Sequence, residues 1–427
     1  MSAGGTHRAI EAVWRIESAK LIAALARITR DVGVAEELAQ DALVSALEQW
    51  PEEGIPDNPG AWLMATAKHR AIDQLRHRKM RQRKHEELGV EHELKQELAE
   101  EGFVAAVEDE LGDDLLRLIF TACHPVLATD ARVALTLKLL GGLSTGEIAR
   151  AFLVPEATVA QRIVRAKRTL TEAQVPYETP RGAELNRRLV SVLEVIYLVF
   201  NEGYTATAGG DWMRPALCQE ALRLGRILAG LAPREPEVLG LVALMEIQAS
   251  RFAARLGPTG EPVLLMDQDR GRWDPLLIRR GLAALEQAEV LGGALGHYVL
   301  QAKIAACHAR ARTAQETDWT RIVALYDALA QLMPSPVVEL NRAVAVAMAF
   351  GPAAGLELVD VLREEPALKA YHLLPAVRAD LLMKLGRIDE ARAEFQRAAE
   401  LTGNARERGL LLDRAAACGS EVRPTAH

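Results

Sequence analysis

The sequence has few aromatic residues and no long apolar run. Phe, Trp and Tyr together make up 4% of its 427 residues, so the core must be built mainly from Leu, Ala, Val and Ile. Because Ala and Leu have high helix propensity, this composition favours an all-α fold. No stretch reaches the roughly 18 apolar residues of a membrane-spanning helix, and residues 1–8 contain no apolar signal core. We therefore expect neither a membrane anchor nor secretion.

Cysteine is scarce as well. The four cysteines are too few and too scattered for a disulfide framework, which predicts reduced thiols and a cytoplasmic protein. Cys123-His124 and Cys307-His308 lack the paired spacing of a zinc site. The sequence also lacks a Gly-rich phosphate loop and a Gly-x-Ser-x-Gly elbow. No catalytic residue, metal or cofactor is predicted from these patterns.

The net charge is −7, which argues against a uniformly basic nucleic-acid binder, but the charge is unevenly distributed. Eight basic residues and one acid lie between Lys68 and His85. Twelve acids and one lysine follow between Glu86 and Asp114. The basic run belongs to a predicted helix whose opposite side is apolar. Such a helix is a candidate for nucleic-acid binding, and the acidic stretch indicates a solvated linker.

A helix-turn-helix is predicted after residue 143. Ser144 and Glu147 form a capping box, Pro155 ends the first short helix, and a second helix follows. Val159 and Ile163 begin the buried stripe of this second helix. Its opposite face carries side chains that can contact base edges and phosphates in a major groove. These are Thr158, Gln161, Arg162, Arg165 and Arg168.

The part beyond residue 180 is helical and lacks basic clusters. Two irregular segments, 201–212 and 267–274, mix polar, aromatic and glycine residues, as an active site or an internally paired turn would. Near the end, 385–401 fits the second half of a tetratricopeptide (TPR) unit, and similar helices precede it. Degenerate repeats of this kind predict a stacked α-solenoid.

The first 173 residues resemble a bacterial RNA polymerase sigma factor of the extracytoplasmic-function (ECF) type. The resemblance depends on an ordered set of motifs, of which the helix-turn-helix is the last. The earlier ones are Ala35-Glu-Glu-Leu-Ala-Gln-Asp-Ala-Leu43 with Trp50, Ala61-Trp-Leu63 and Ala71-Ile-Asp-Gln-Leu-Arg76.

Residues 190–427 resemble the ECF subgroup with a long helical C-terminal extension of TPR-like repeats. The segments 195–204 and 267–274 are similar to its hallmarks. The resemblance implies sigma region 2 at 8–85, an acidic linker at 86–112, sigma region 4 at 113–173, a helical extension at 181–280 and TPR-like repeats at 281–420.

The resemblance also implies partners and roles. Core RNA polymerase would bind through its β′ clamp helices and β flap, and promoter DNA would be read at the −10 and −35 elements. The helix-turn-helix residues above would read the −35 element. The residues implied in docking on the clamp helices are Glu37, Gln40, Asp41 and Leu43.

The −10 element would lie on the basic helix, which would hold a single strand with a base pulled from the stack. His69 stands where many relatives have an asparagine. The implied −10 set is Lys68, His69, Arg70, Asp73, Arg76 and Arg78.

The extension is expected to be regulatory and to contact the sigma domains or a partner protein. The resemblance implies a small YCII-related (DGPF) protein as a partner, because the subgroup's genes often neighbour genes for such proteins. The candidate regulatory interface comprises Asn201, Glu202, Tyr204, Asp267, Asp269, Arg270 and Trp273.

Two other functions stay open at the level of sequence. A one-component regulator would sense a ligand with the solenoid and bind an operator, but it leaves the basic helix and residues 35–43 unexplained. An enzyme would be centred on Glu202, Tyr204, Asp267, Asp269 and Arg270.

Overall fold

The computed structural model describes residues 3–83, 107–258 and 260–420. The regular secondary structure of this part of the chain is nearly all helix, which confirms the all-α prediction. The chain divides into two compact units, the first ending at Leu198 and the second beginning at Val199. Within the described ranges, no helix is long and apolar enough to cross a membrane.

The first unit is organised around its first helix, α1, which packs against α2, α3, α4 and α5. Ile10, Leu21, Ile22 and Leu25 of α1 are fully buried and supply much of the core. The helices of this unit are α1 (Ala3–Thr29), α2 (Val32–Glu53), α3 (Pro59–Arg83), α4 (Val107–Ala122), α5 (Thr129–Leu139), α6 (Thr145–Phe152), α7 (Glu156–Glu172) and α8 (Gly182–Tyr204), which continues into the second unit.

The helix-turn-helix of α6 and α7 forms as predicted. The Ser144 side chain accepts a hydrogen bond from the Glu147 amide, and the Glu147 carboxylate accepts one from the Ser144 amide. Leu153 then adopts a left-handed conformation (φ 51°), which ends α6 and turns the chain. Pro155 immediately precedes α7, so the connection is short and the two helices pack against each other.

The second unit stacks helices that pack against those one or two places away in sequence. Five of the described helices have proline in their first turn, where the missing amide hydrogen costs no intrahelical bond. The helices are α9 (Pro215–Leu231), α10 (Pro236–Ala249), α11 (Pro275–Val290), α12 (His297–Arg310), α13 (Trp319–Leu332), α14 (Pro336–Phe350), α15 (Pro352–Leu362), α16 (Leu373–Lys384), α17 (Ile388–Leu401) and α18 (Ala405–Ser420).

A short parallel pairing joins the beginning of the second unit to its end. Strand β1 (Ala208–Gly209) pairs with β2 (Gly403–Asn404). Asn404 is 1% exposed, and its amide nitrogen donates to the carbonyls of Ala206 (2.9 Å) and Asp211 (2.8 Å). Its side-chain oxygen accepts from the amides of the first turn of α18. The stack of helices is therefore closed on itself.

Replacing Asn404 by Asp should destabilise the second unit. The carboxylate keeps the two acceptor contacts, but it leaves the carbonyls of Ala206 and Asp211 buried without a donor. Since an unsatisfied buried polar group costs about 1–3 kcal/mol, we expect a loss of about 3 kcal/mol in the free energy of unfolding. Urea unfolding of the full chain, followed by circular dichroism, measures it. The exposed Glu400→Gln on α17 is the control, and a loss no larger than the control's contradicts the role assigned to Asn404.

Candidate nucleic-acid interface

Helix α7 presents a polar face opposite its buried stripe. Val159, Ile163, Ala166 and Leu170 are buried, as the sequence predicted. On the other side Gln161, Arg165 and Arg168 are exposed, whereas Thr158 is partly buried. Arg165 forms no ion pair with any residue that the structure describes, and Arg168 pairs with Glu172 one turn further along α7 (2.6 Å). The guanidinium of Arg165 is therefore available to a ligand.

Arg162, in contrast, forms an ion pair with another helix. Its guanidinium lies 3.1 Å from the carboxylate of Asp130 at the start of α5. This pair links α7 to the helix on which it packs. Of the five residues predicted to read DNA, Arg162 is thus the one whose head group is bound to another helix.

Val164 also lies on the exposed face of α7, although it is not among the polar residues predicted to read DNA. Its side chain is 64% exposed, and it lies on the same face as Gln161, Arg165 and Arg168. The signal was present in the sequence, because positions 161, 164, 165 and 168 follow helical spacing.

Helix α2 carries the residues predicted to bind core polymerase. Glu37, Gln40 and Asp41 are exposed, and Leu43 is partly buried. The structure adds Val44 and Leu47, whose apolar side chains are exposed on the same helix. α2 therefore offers an acidic surface with apolar residues beside it.

The basic helix α3 lies against α2. The guanidinium of Arg70 donates to the Ser45 hydroxyl (2.7 Å) and lies 3.5 Å from the Asp41 carboxylate. Asp41 and Arg70, assigned to polymerase and to DNA respectively, are therefore in contact. His69 and Asp73 are exposed, whereas Lys68 is partly buried. The side chains of Arg76 and Arg78, and most of the linker at 86–112, fall outside the described residues.

A buried carboxylate of α2 joins the two predicted sigma regions. Glu36 is 4% exposed, and its carboxylate contacts the ammonium groups of Lys138 on α5 (3.7 Å) and Lys167 on α7. Gln40 also donates to it (2.7 Å). We call the meeting of Glu36 with the two lysines the Glu36 contact. It ties α7, the predicted DNA-reading helix, to α2 through an ion pair.

Further contacts across the same boundary come from α1. Arg27 lies 3.1 Å from the buried carboxylate of Asp114 on α4. The Tyr177 hydroxyl donates to the carbonyls of Ala23 and Asp114, both at 2.9 Å. Burial, followed by the nearby Asp114, raises the pKa of Tyr177, so its hydroxyl stays protonated and keeps donating. The first unit is consequently one packed body that contains both α3 and α7.

The segment 201–212 is occupied in contacts within the second unit. Glu202 pairs with Arg214 and accepts from the Thr207 hydroxyl (2.9 Å). Gly203 allows α8 to approach α9 closely, because a Cβ there would lie 2.6 Å from the Cys218 amide nitrogen. The Tyr204 ring is covered by the guanidinium of Arg255, 3.6 Å from the ring centroid. Glu202 and Tyr204 therefore have structural partners.

The segment 267–274 is likewise folded into the second unit. Arg270 donates to the carbonyls of His308 (2.6 Å) and Ala311 (2.9 Å), which ends α12. Trp273 is 5% exposed and lies under Arg270, 5.0 Å from the guanidinium. Asp269 accepts from the Gly271 amide and stays exposed.

Of the seven residues predicted to form the regulatory interface, three are exposed: Asn201, Asp267 and Asp269. Over the described ranges, no group of three His, Cys, Asp or Glu residues is placed to hold a metal ion.

Three segments of the chain match known domain families. Residues 16–81 match Sigma-70 region 2, and residues 117–170 match Sigma-70, region 4. Residues 188–289 match a family of unknown function, DUF6596. The first match includes α2 and most of α3, and the second includes α6 and most of α7.

Similar proteins extend these matches. An uncharacterized protein of Rhizobium meliloti (strain 1021) is 44% identical over 386 residues, which are 90% of this chain and 90% of that protein. The probable RNA polymerase sigma-C factor of Mycobacterium bovis is 30% identical over 169 residues, which are 40% of this chain and 85% of that protein. The probable ECF RNA polymerase sigma factor SigI of Mycobacterium tuberculosis is 26% identical over 169 residues, 40% of this chain and 57% of that protein. The likeness to sigma factors covers less than half of this chain.

Replacing Glu36 by Gln should loosen α7. The substitution removes the charge between Lys138 and Lys167, and breaking a buried ion pair is destabilising. The lysines keep some exposure, so we expect a loss of about 1–2 kcal/mol, a factor of about 5–30 in local opening. Hydrogen exchange of the α7 amides, measured by mass spectrometry on the full chain, tests this. Glu48→Gln, an exposed residue of α2, is the control. Equal exchange in both variants would mean that the Glu36 contact does not hold α7.

Proposed function

The chain belongs to the RNA polymerase sigma factors of the extracytoplasmic-function type, and from this we propose that it directs core polymerase to promoters with −10 and −35 elements through α2, α3 and α7. The chain acts where these partners are, in the cytoplasm. Sigma factors are transcription initiation factors, and Glu202, one of the five residues of the alternative enzyme hypothesis, is bound to Arg214.

The observation that carries this proposal is the exposed face of α7. A capped helix, a tight turn and a second helix with exposed Gln161 and Arg165 form the arrangement that reads a major groove. Gln can bond adenine and Arg can bond guanine with two hydrogen bonds each. Arg168, which pairs with Glu172 in the free chain, would turn its guanidinium to the phosphates. Arg162 supports this face indirectly, by fixing α7 on Asp130.

The polymerase would dock on α2. Glu37, Gln40 and Asp41 provide polar and acidic groups, and Val44 and Leu47 provide exposed apolar area beside them. Apolar contact surrounded by polar groups is the usual composition of a specific protein interface. The β′ clamp helices are the proposed partner.

The −10 element would lie on α3, with His69 and Arg70 exposed at its surface. Arg70 now bonds Ser45 and Asp41 of α2, so polymerase binding at Asp41 would change the environment of Arg70. Lys68, Asp73, Arg76 and Arg78 complete the proposed surface.

The two DNA-binding helices must separate to read one promoter. The −10 and −35 elements are about 25 base pairs apart, or about 85 Å of duplex at 3.4 Å per pair. A compact unit of 198 residues has a radius of gyration of about 16 Å, hence a width of roughly 40 Å. In the packed unit α3 and α7 cannot reach both elements. We infer that polymerase binding releases the Glu36 contact, and that the linker at 86–112 spans the gap.

The second unit would regulate this opening. Its helices stack on those one or two places away in sequence, which supports the proposed TPR-like architecture. Asn201, Asp267 and Asp269 are its candidate contacts with the sigma regions or a partner. The small YCII-related protein stays a prediction from the resemblance alone.

The direct test combines the purified chain with core polymerase. We expect co-elution in size-exclusion chromatography and transcripts that start at defined sites on genomic fragments. Arg165→Ala should reduce transcription through the loss of a base or phosphate contact of about 1–3 kcal/mol. Arg181→Ala, an exposed arginine outside α7, is the control. Absence of co-elution would overturn the sigma-factor proposal, and wild-type transcription by Arg165→Ala would remove α7 from it.

Opening is tested separately with Glu36→Lys. A third cation beside Lys138 and Lys167 should repel α7 and raise the affinity of the chain for promoter DNA in the absence of polymerase. Release of about 1–2 kcal/mol of closure corresponds to roughly 5–30-fold tighter binding. Glu48→Lys adds the same charge at an exposed site of α2 and controls for general electrostatic attraction. Equal gains in the two variants, measured by fluorescence anisotropy, contradict closure by Glu36.

A further inference from the structure

The exposed valine of α7 has no role in packing. Val164 is 64% exposed, whereas Val159 and Ile163 of the same helix are buried. A single exposed apolar residue is common and needs no explanation by itself. Val164, however, lies among the residues of α7 that are proposed to contact DNA, so its side chain would also face the bases.

Val164 lies within the polar stripe of α7. At 100° per residue, positions 161, 164, 165 and 168 fall within an arc of about 100°. Their spacing of three, one and three residues is that of the base-contacting positions in the recognition helix of a homeodomain. Arg162 lies outside this arc, in agreement with its contact with Asp130.

The residues N-terminal to Val164 leave room for a base. Ala160 and Ala157 are exposed on α7, one turn and two turns before Val164. Their methyl groups are too short to hold the helix away from the groove. The branched apolar side chain of Val164 is therefore presented at one edge of the arc, beside Arg168 and Gln161.

We propose that Val164 contacts the C5-methyl group of a thymine in the −35 element and makes that thymine a determinant of promoter choice. Thymine alone of the four bases carries a methyl group in the major groove, and an apolar side chain is its usual partner. Valine forms no hydrogen bond with a base, so its contribution is burial of that methyl. This inference rests on the proposed function, since it needs α7 in the major groove.

The experiment uses uracil, which is thymine without the methyl group. Duplexes that bind the full-length chain are first selected from a random library. The preferred duplex is then resynthesised with uracil replacing each thymine in turn. One substitution should weaken binding about three- to tenfold, the effect expected for burying one methyl group in a close contact.

Variants identify the residue that senses the methyl group. Val164→Ala should bind the thymine and uracil duplexes equally, and Val164→Thr, which keeps a methyl group, should retain part of the preference. Val190→Ala removes a valine of similar exposure (68%) from α8 and should keep the full preference. Because Val164 is exposed, its variants should fold normally, which circular dichroism verifies.

The possible outcomes distinguish a failure of this inference from a failure of the proposed function. If the wild-type chain selects no sequence even with core polymerase, α7 does not read DNA and the proposed function fails. If it selects a sequence but no uracil substitution matters, or if Val164→Ala keeps the preference, only the role of Val164 fails.

Discussion

The carboxylate of Glu36 is the constraint on which the first unit depends. A charged group that is 4% exposed needs partners, and Lys138 on α5 and Lys167 on α7 come from two helices of the other sigma region. A buried ion pair adds little net stability, because desolvation offsets most of the attraction. It does select one arrangement of helices over others. The packed form is therefore specific but only weakly stabilised. Both properties are needed in a form that must open when core polymerase binds.

The neighbouring contacts also involve buried polar groups that need partners. Asp114 and Tyr177 are buried and polar, and each is satisfied across the boundary between the two regions. Opening the unit would expose these groups to water, which can replace their hydrogen bonds. The apolar area between α1 and α4 is the part that water cannot replace, so it should set most of the free energy of closure.

The sequence predicted local features well, because they depend on neighbours in the chain. The capping box of Ser144 and Glu147 and the buried stripe of Val159 and Ile163 need only helical spacing. The contacts of Arg162 with Asp130 and of Glu36 with Lys167 could not be predicted from the sequence. The chain contains many residues of opposite charge, and only the fold determines which of them lie close together. The polar segments 201–212 and 267–274 were ambiguous for the same reason. Their residues Glu202 and Arg270 proved to be bonded within the second unit.

The pairing of β1 with β2 has a consequence for how the second unit can evolve. A stack of helices with free ends can gain or lose a repeat at its terminus, because each repeat touches only its neighbours. Here Asn404 bonds carbonyls almost two hundred residues earlier, so the span between them must keep its length and curvature. An inserted or deleted repeat would break that junction. Homologues of this protein should therefore vary in the sequences of these helices but keep the number of helices constant.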